Sequence, residues 1–464
     1  MSSRTANLDL AEIVAADINH HFHPFTDHKA FHSEGGPRVI THAKGVWIWD
    51  ANGQKYLDAM SGLWCVNIGY GRKELADAAY RQMLELPYYN TFFKTTTVAA
   101  TRLAESISNL LPKRFQHVFF VNDGSEANDS MVRFVRHYWA LQGKPYRTNI
   151  IARRRGYHGS TMVSASLGGM EPMHGQGGLP LAGFHHVLQP NWYEFGGDLT
   201  PEAFGLAAAG ELEKKILELG PDNVAAFIGE PIQGAGGVII PPPSYWPAVE
   251  RICRKYGILI VADEVICGFG RTGRWWGFET MGFNPDIVIM AKGLSSGYQP
   301  IGAMAVADHV IADFFDKGGE FFHGYTYSGH PVACAVALEN IRIMRDEKII
   351  ERSQAIAPYL ADAVAGLSDH PLVGEVRCTG LIGAIELVRD KASRERFEPI
   401  SRVGLLCRDH CFRNGLIMRA CWDTMVFAPP LIIDKAEIDE WMVLARKALD
   451  LTLEDVSREI VSSE

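Results

Sequence analysis

Lys292 follows an unbroken apolar run, Ile287-Val288-Ile289-Met290-Ala291, and so stands where a buried strand leaves the core. Desolvation disfavours an ammonium and lowers its pKa, which makes such a lysine a nucleophile towards carbonyl carbon. Asp263 closes a second apolar run, Gly257-Ile258-Leu259-Ile260-Val261-Ala262. A carboxylate at the end of a buried strand needs a cationic partner to offset its desolvation, and a protonated pyridine nitrogen would be one. A Schiff-base lysine with a pyridinium-pairing carboxylate is the minimal apparatus of pyridoxal phosphate chemistry. Without further support, though, a strand-end lysine is more often a structural or surface residue.

A third feature supplies that support. His117 to Val121 reads as a strand, Asn122-Asp123-Gly124-Ser125 as a tight turn, and the residues beyond as a helix to about Leu141, with Val132, Val135, Tyr138 and Trp139 on one face. Gly124 and Ser125 therefore stand at a helix N-terminus. Free N–H groups and the positive end of the helix dipole suit a phosphate there, with the Ser125 hydroxyl as an added donor. For this piece alone, an ordinary serine cap explains the pattern equally well.

The elements that must hold these residues alternate. Strands are expected at His117 to Val121, Asn149 to Ala152, Ala225 to Gly229, Ile258 to Ala262 and Ile287 to Met290, with helices such as Glu211 to Leu219 and Tyr245 to Tyr256 among them. Near-continuous apolar strands alternating with helices predict an α/β fold with a mostly parallel sheet covered on both faces. Ligands of open parallel sheets bind at the carboxyl ends of strands, where Ser125, Glu230, Asp263 and Lys292 all fall. Ahead of the sheet, residues 1–71 mix short strands with the hairpin turn Asp50-Ala51-Asn52-Gly53 and read as a lid and flanking subdomain. Residues 72–330 form the large domain. Residues 331–464 form a smaller α/β unit, with a helix to about Arg345, strands near Gly380 to Leu387 and Met425 to Pro429, and a closing helix from Ala436 to about Leu449.

Composition excludes several classes. The chain has 464 residues, is 47% hydrophobic and carries a net charge of -9 without a basic block, which argues against nucleic acid or an anionic membrane as partner. No apolar run approaches the roughly 18 residues of a membrane span, and Met1-Ser2-Ser3-Arg4-Thr5 does not open a signal peptide, so a cytoplasmic enzyme is expected. The eight cysteines lack C-x-x-C spacing and read as reduced thiols. Gly268-Phe269-Gly270-Arg271-Thr272-Gly273 satisfies G-x-G-x-x-G, but no helix follows at Arg274-Trp275-Trp276-Gly277, so a dinucleotide site is not expected. His20, His21, His23, His28 and His32 suit no common zinc spacing, and no metal is expected.

Taken together, Gly124-Ser125-Glu126-Ala127-Asn128, Arg155-Gly156-Tyr157-His158-Gly159, Gly229-Glu230-Pro231, Ala262-Asp263-Glu264-Val265, Ala291-Lys292-Gly293 and Thr326-Tyr327-Ser328-Gly329-His330-Pro331 resemble, in that order, the class III pyridoxal-phosphate aminotransferases. Gly62 to Asn67, Asn90 to Thr95 and Leu416 to Cys421 are similar to bacterial omega-transaminases that use pyruvate. The resemblance implies a fold-type-I enzyme, with the small domain drawn from both chain ends, a homodimer or dimer of dimers, and pyridoxal 5'-phosphate held by Gly124, Ser125, Tyr157, His158, Glu230, Asp263, Val265 and Lys292, with Thr326 reaching in from a neighbouring subunit. Lys292 and Asp263 would be catalytic. The amine pocket would be walled by Phe25, Leu63, Trp64, Phe92 and Tyr157, with Ala235 on its restricted side, and Arg419 would pair with a keto-acid carboxylate. Trp422 stands where such enzymes often carry a small residue, so it would narrow the pocket mouth or restrict Arg419. A 2-oxoglutarate-dependent transaminase, an aminomutase, a decarboxylase or a cofactor-binding protein without turnover are the alternatives on the same apparatus.

Overall fold

The computed structural model describes residues 9–463; the expectation for residues 1–5 lies outside that range. The chain opens with helices Leu10–His20 and His28–Ser33, which the sequence reading did not anticipate. His21 and His23 there hydrogen-bond the two oxygens of Asp17, at 3.1 and 2.7 Å. Strands β1 (Ile40–Lys44), β2 (Trp47–Asp50) and β3 (Lys55–Asp58) then form an antiparallel ladder. The β2–β3 turn is locked by Asp50, whose Oδ1 accepts from the backbone N–H of Asn52 and Gln54, at 2.9 and 3.0 Å.

The central sheet has seven strands. They are β4 (His117–Val121), β5 (Asn149–Arg153), β6 (Phe184–Val187), β7 (Val224–Gly229), β8 (Leu259–Asp263), β9 (Ile287–Met290) and β10 (Gly302–Val306), in the order β4-β10-β9-β8-β7-β5-β6. β10 runs antiparallel to both its neighbours, and the other pairings are parallel. Successive residues alternate between two buried clusters: Ile260, Ala262 and Val288 pack on one face, Leu259, Val261 and Ile289 on the other. That two-sided burial is why these strands read as continuous apolar runs. β6 and β10 were not expected. Gly302-Ala303-Met304-Ala305-Val306 is small and short, with a single β-branched residue at its end, so its pattern does not distinguish strand from helix.

Towards the C-terminus, β11 (Val373–Thr379), β12 (Ile382–Leu387), β14 (Arg419–Cys421) and β15 (Thr424–Phe427) make an antiparallel sheet in the order β11-β12-β15-β14. β13 (Leu416–Ile417) instead pairs parallel with β3, matching Leu416 to Leu57, so a late strand completes an early sheet. The closing helix, Lys435–Ser463, is longer than expected. Among the described residues no helix is long and apolar enough to cross a membrane. All eight cysteines are free.

Arg271, inside the glycine-rich decoy, explains that segment. It is fully buried and donates to the carbonyls of Leu381 (3.1 Å) and Pro429, to Ser61 Oγ (3.2 Å) and to Asn67 Oδ1 (3.1 Å). One guanidinium thus ties the early segment, the central body and the late sheet together, and burial lowers its pKa to about 10. Replacing Arg271 by methionine strands these buried acceptors. We expect a stability loss of about 3 kcal/mol, read from a urea-denaturation midpoint at unchanged slope.

Candidate active site

The parallel trio β7-β8-β9 aligns its carboxyl ends by register: Gly229 pairs with Ala262, and Asp263 with Ile289. Glu230, Asp263 and Lys292 therefore leave the sheet at one edge. A cavity of about 320 Å³ opens there, and its walls include Gly124, Ser125, Tyr157, His158, Glu230, Asp263, Val265 and Lys292. Eight residues singled out from the sequence thus share one space.

Asp263 is buried and held from three sides. Its Oδ2 accepts from Asn128 Nδ2 (3.0 Å) and lies 2.7 Å from His158 Nδ1, while Oδ1 accepts from the backbone N–H of Val265 (3.1 Å). Asn128 also donates to the His158 carbonyl, at 2.8 Å. Asn128 belongs to the helix Gly124–Leu141, so the helix that offers its N-terminus to the cavity also fixes the carboxylate at the cavity's other side. Strand alternation sends the next residue elsewhere. Glu264 accepts from the backbone N–H groups of Gly277 (2.8 Å) and Phe278 (2.7 Å) in the core, where burial pushes its carboxyl up to about 8.

Lys292 has a φ of 45°, a left-handed conformation in which a lysine is strained. Among the described residues its amine has no hydrogen-bond or ion-pair partner. Desolvation lowers its pKa and the nearby charge of Arg419 works in the same direction, against the opposing pull of Cys65, Asp263 and Glu230. Glu230 is itself raised by burial. Its Oε1 accepts from the Tyr157 N–H (3.1 Å) and Oε2 from the Gly234 N–H (2.8 Å), which ties two cavity loops together.

Two glycines keep the helix N-terminus accessible. A Cβ at Gly124 would approach Val265 Cγ2 to 3.1 Å, and one at Gly159, where φ is 136°, would fall 2.6 Å from Ser125 Oγ. These features fit pyridoxal phosphate: an anion-receiving helix N-terminus, a fixed carboxylate, half-buried Tyr157 and Val265 between them, and an amine without a partner.

None of the remaining candidates is among the walls of this cavity. Leu63 is exposed and Trp64 buried, and they directly precede Cys65, which does line it. Ala235 is buried in the loop after β7. Arg419 is half-buried on β14, within electrostatic reach of Lys292, and has no ion-pair partner among the described residues. Phe25 is 77% exposed and borders a larger cavity of about 780 Å³, which reaches Ser160, the hydrogen-bond partner of Tyr157 Oη at 3.0 Å. Phe92 packs beside Gly324, and the exposed Thr326 offers its carbonyl to Tyr88 Oη (2.8 Å), both away from the cavity within one chain. Trp422 lines a separate cavity, against Arg155. Sequence reasoning assigned no role to Asn128 or Cys65; the signal for Asn128 was an amide inside a helix turn that is otherwise buried.

Residues 30–449 match the family Aminotransferase class-III, and the chain belongs to it. It is a fold-type-I enzyme whose cofactor is pyridoxal 5'-phosphate. Among its relatives, it is 57% identical over 453 residues, 97% of this chain and 99% of the other, to the putrescine–pyruvate aminotransferase of Pseudomonas aeruginosa. Its structure is similar, with a TM-score of 0.93 and 44% identity, to a thermostable (S)-enantioselective omega-transaminase from Thermomicrobium roseum, covering 96% of this chain and 99% of that one. It is equally similar to the omega transaminase of Pseudomonas jessenii solved in complex with PMP, with a TM-score of 0.94, 41% identity and coverage of 96% and 99%.

Proposed function

We propose that this enzyme transfers the amino group of a primary amine or omega-amino acid to pyruvate, giving alanine, by a ping-pong mechanism. The reading is carried by the meeting of Lys292, Asp263 and a helix N-terminus at one sheet edge, in a chain 57% identical to an enzyme named for putrescine and pyruvate. Bound pyridoxal phosphate supplies the electron sink for the pair left when a proton leaves the substrate carbon. Lys292 Nζ would hold the cofactor and, once its amine is free, would act as the general acid and base that moves the proton at the substrate carbon. Asp263, oriented by His158 and Asn128, would keep the ring nitrogen protonated. Gly124 and Ser125 would receive the phosphate, Tyr157 and Val265 would pack against the ring, and Glu230 braces the Tyr157 loop. Leu63, Trp64, Phe92, Phe25 and Ala235 shape the amine pocket.

Arg419 receives the keto-acid carboxylate, since a planar guanidinium that has no ion-pair partner among the described residues matches it in two parallel hydrogen bonds. Arg419→Leu should raise KM for pyruvate at least about tenfold and leave kcat/KM for an unsubstituted monoamine in the first half-reaction nearly unchanged; steady-state and single-turnover kinetics separate the two.

A homodimer completes this site in our reading. Met83, Leu84, Tyr88, Phe93, Phe322 and Tyr327 are exposed, and the Tyr88–Thr326 bond joins the two segments into one surface. Docked on a second copy, that surface would carry Thr326 and Phe92 to the neighbour's cavity. Residues 1–71 and 331–464 would form one small domain around the large domain, 72–330, as the β3–β13 pairing supports. A cytoplasmic location accords with eight free thiols.

The deciding experiment is a cofactor absorption titration of the purified enzyme with 1-phenylethylamine, followed by pyruvate or 2-oxoglutarate. Bleaching by amine and recovery with pyruvate alone supports the proposal. Recovery with 2-oxoglutarate alone moves the assignment to a different acceptor, and a band indifferent to amines removes the transaminase reading.

A further inference from the structure

The helix Leu10–His20 ends in a group of metal-ligating side chains that the site described above does not use. Asp17 stands in its last turn, and His21 caps it with its backbone N–H bonded to the Asp17 carbonyl at 2.9 Å. A spacing of four residues puts the two side chains on one face. His23 lies beyond the helix end, and the chain turns there so that its ring meets the same carboxylate. One oxygen of Asp17 is thus 3.1 Å from His21 Nδ1 and the other 2.7 Å from His23 Nε2, with the two ring centroids 4.0 Å apart. Positions 17, 21 and 23 follow no zinc spacing legible along the chain; the turn after the helix assembles them.

An ion about 2.1 Å from each ligand atom holds neighbouring ligand atoms about 3.0–3.4 Å apart, in octahedral or tetrahedral order. The three ligand atoms already lie within 4.8 Å of one another, so small side-chain rotations suffice to close on an ion. Each imidazole now turns an N–H towards Asp17, and one divalent ion takes the place of both protons. The ligands are also held in place. His23 packs on Phe31 with centroids 4.8 Å apart, and its carbonyl lies 3.2 Å from His28 Nε2. The side chains of Asp17 and His23 are only 19% and 21% exposed, while that of His21 is 59% exposed and leaves one side open to water. Two ring nitrogens and a carboxylate suit a borderline divalent ion such as zinc, not the all-oxygen surroundings that calcium and magnesium take.

We propose that Asp17, His21 and His23 form a binding site for a zinc-like divalent ion, which fastens the segment leading to Phe25 onto the end of the first helix. Phe22, His23 and Phe25 line the cavity of about 780 Å³ that reaches Ser160. Phe25 has a φ of 49°, a left-handed conformation that a bulky residue keeps only when its surroundings hold it. An ion on His23 pins the backbone two residues upstream of that strain. The site is independent of the amine transfer proposed above.

The test measures zinc binding to the holoenzyme by competition with a chromophoric chelator, with cobalt(II) absorption to report the ligand type. His21→Ala and Asp17→Asn should each weaken binding at least about tenfold, since losing even an outer partner of a metal ligand costs about that much. The His21 side chain is exposed and asparagine nearly matches aspartate in shape, so both variants are expected to fold. His20→Ala and His32→Ala remove exposed histidines of the same segment outside the triad and should leave the affinity unchanged. Amide hydrogen exchange across residues 21–26 should slow with zinc in the parent enzyme and not in His21→Ala or Asp17→Asn. Equal losses in all four variants, no loss in His21→Ala and Asp17→Asn, or a cobalt–thiolate charge-transfer band overturn the site. Zinc bound at the triad with no change in exchange overturns the fastening.

Discussion

Lys292→Ala should lower turnover at least about a thousandfold, because one substitution removes both the covalent anchor and the proton carrier. The amine stands alone in a cavity that lowers its pKa by desolvation, and no neighbouring lysine replaces it: among the wall residues of that cavity Lys292 is the sole lysine. The phosphate seat proposed at Gly124 and Ser125 does not depend on it, so the variant should still retain cofactor. Two measurements separate these roles. Borohydride treatment followed by mass analysis should place the cofactor's mass on the Lys292 peptide of the parent enzyme and nowhere on the variant. Cofactor fluorescence should show the variant binding it reversibly. Turnover within tenfold of the parent, or a cofactor adduct on another lysine, would sink the assignment.

The sheet's chemistry-bearing edge was legible because buried parallel strands write long apolar runs that end abruptly. Asp263 and Lys292 stand at such ends, and the register of β7, β8 and β9 then puts their exits side by side. Gly124 and Ser125 were legible for a different reason, since a strand, a turn and an amphipathic helix follow one another locally. Which of Asp263 and Glu264 faces the cavity follows from strand alternation only once the cavity's side of the sheet is known; Glu264 turns into the core to meet two backbone N–H groups.

What escaped the sequence depends on distant pairing or on chain partners. The β13–β3 pair joins residues more than 350 positions apart, and nothing in Leu416-Ile417 alone announces it. The bond from Asn128 to Asp263 spans 135 residues and emerges only when the helix packs on the sheet. The Arg271 contacts are of the same kind: a glycine-rich loop written like a nucleotide turn is in fact a seat for one buried cation. Trp422 could be named as unusual in type, but its stack on Arg155 and its positive φ belong to the folded hairpin. Phe92 and Thr326 are not among the walls of the cofactor cavity of their own chain, and only the proposed dimer would carry them to one.

Asp263→Asn should cost between about a hundredfold and ten-thousandfold in kcat, for an electrostatic reason that the local hydrogen bonds sharpen. An amide is nearly the shape of the carboxylate yet carries no charge, so it cannot hold a ring nitrogen in its protonated form. It also fits its own surroundings badly. Asn128 Nδ2 donates to one oxygen of Asp263 and the Val265 N–H to the other, so whichever way an amide is turned, its NH2 group faces a donor. The variant should therefore lose cofactor affinity as well as turnover, and His158 should lose the carboxylate that now lies 2.7 Å from its Nδ1. Asp263→Glu keeps the charge but displaces it by one methylene, and should recover part of the cofactor affinity with little of the turnover. Cofactor dissociation constants and single-turnover rates for the parent and both variants decide the matter. If Asp263→Asn loses stability but, once folded, matches the parent in rate and affinity, the carboxylate is only a brace between the helix and the sheet, and the charge that governs the ring nitrogen must come from another wall of the cavity.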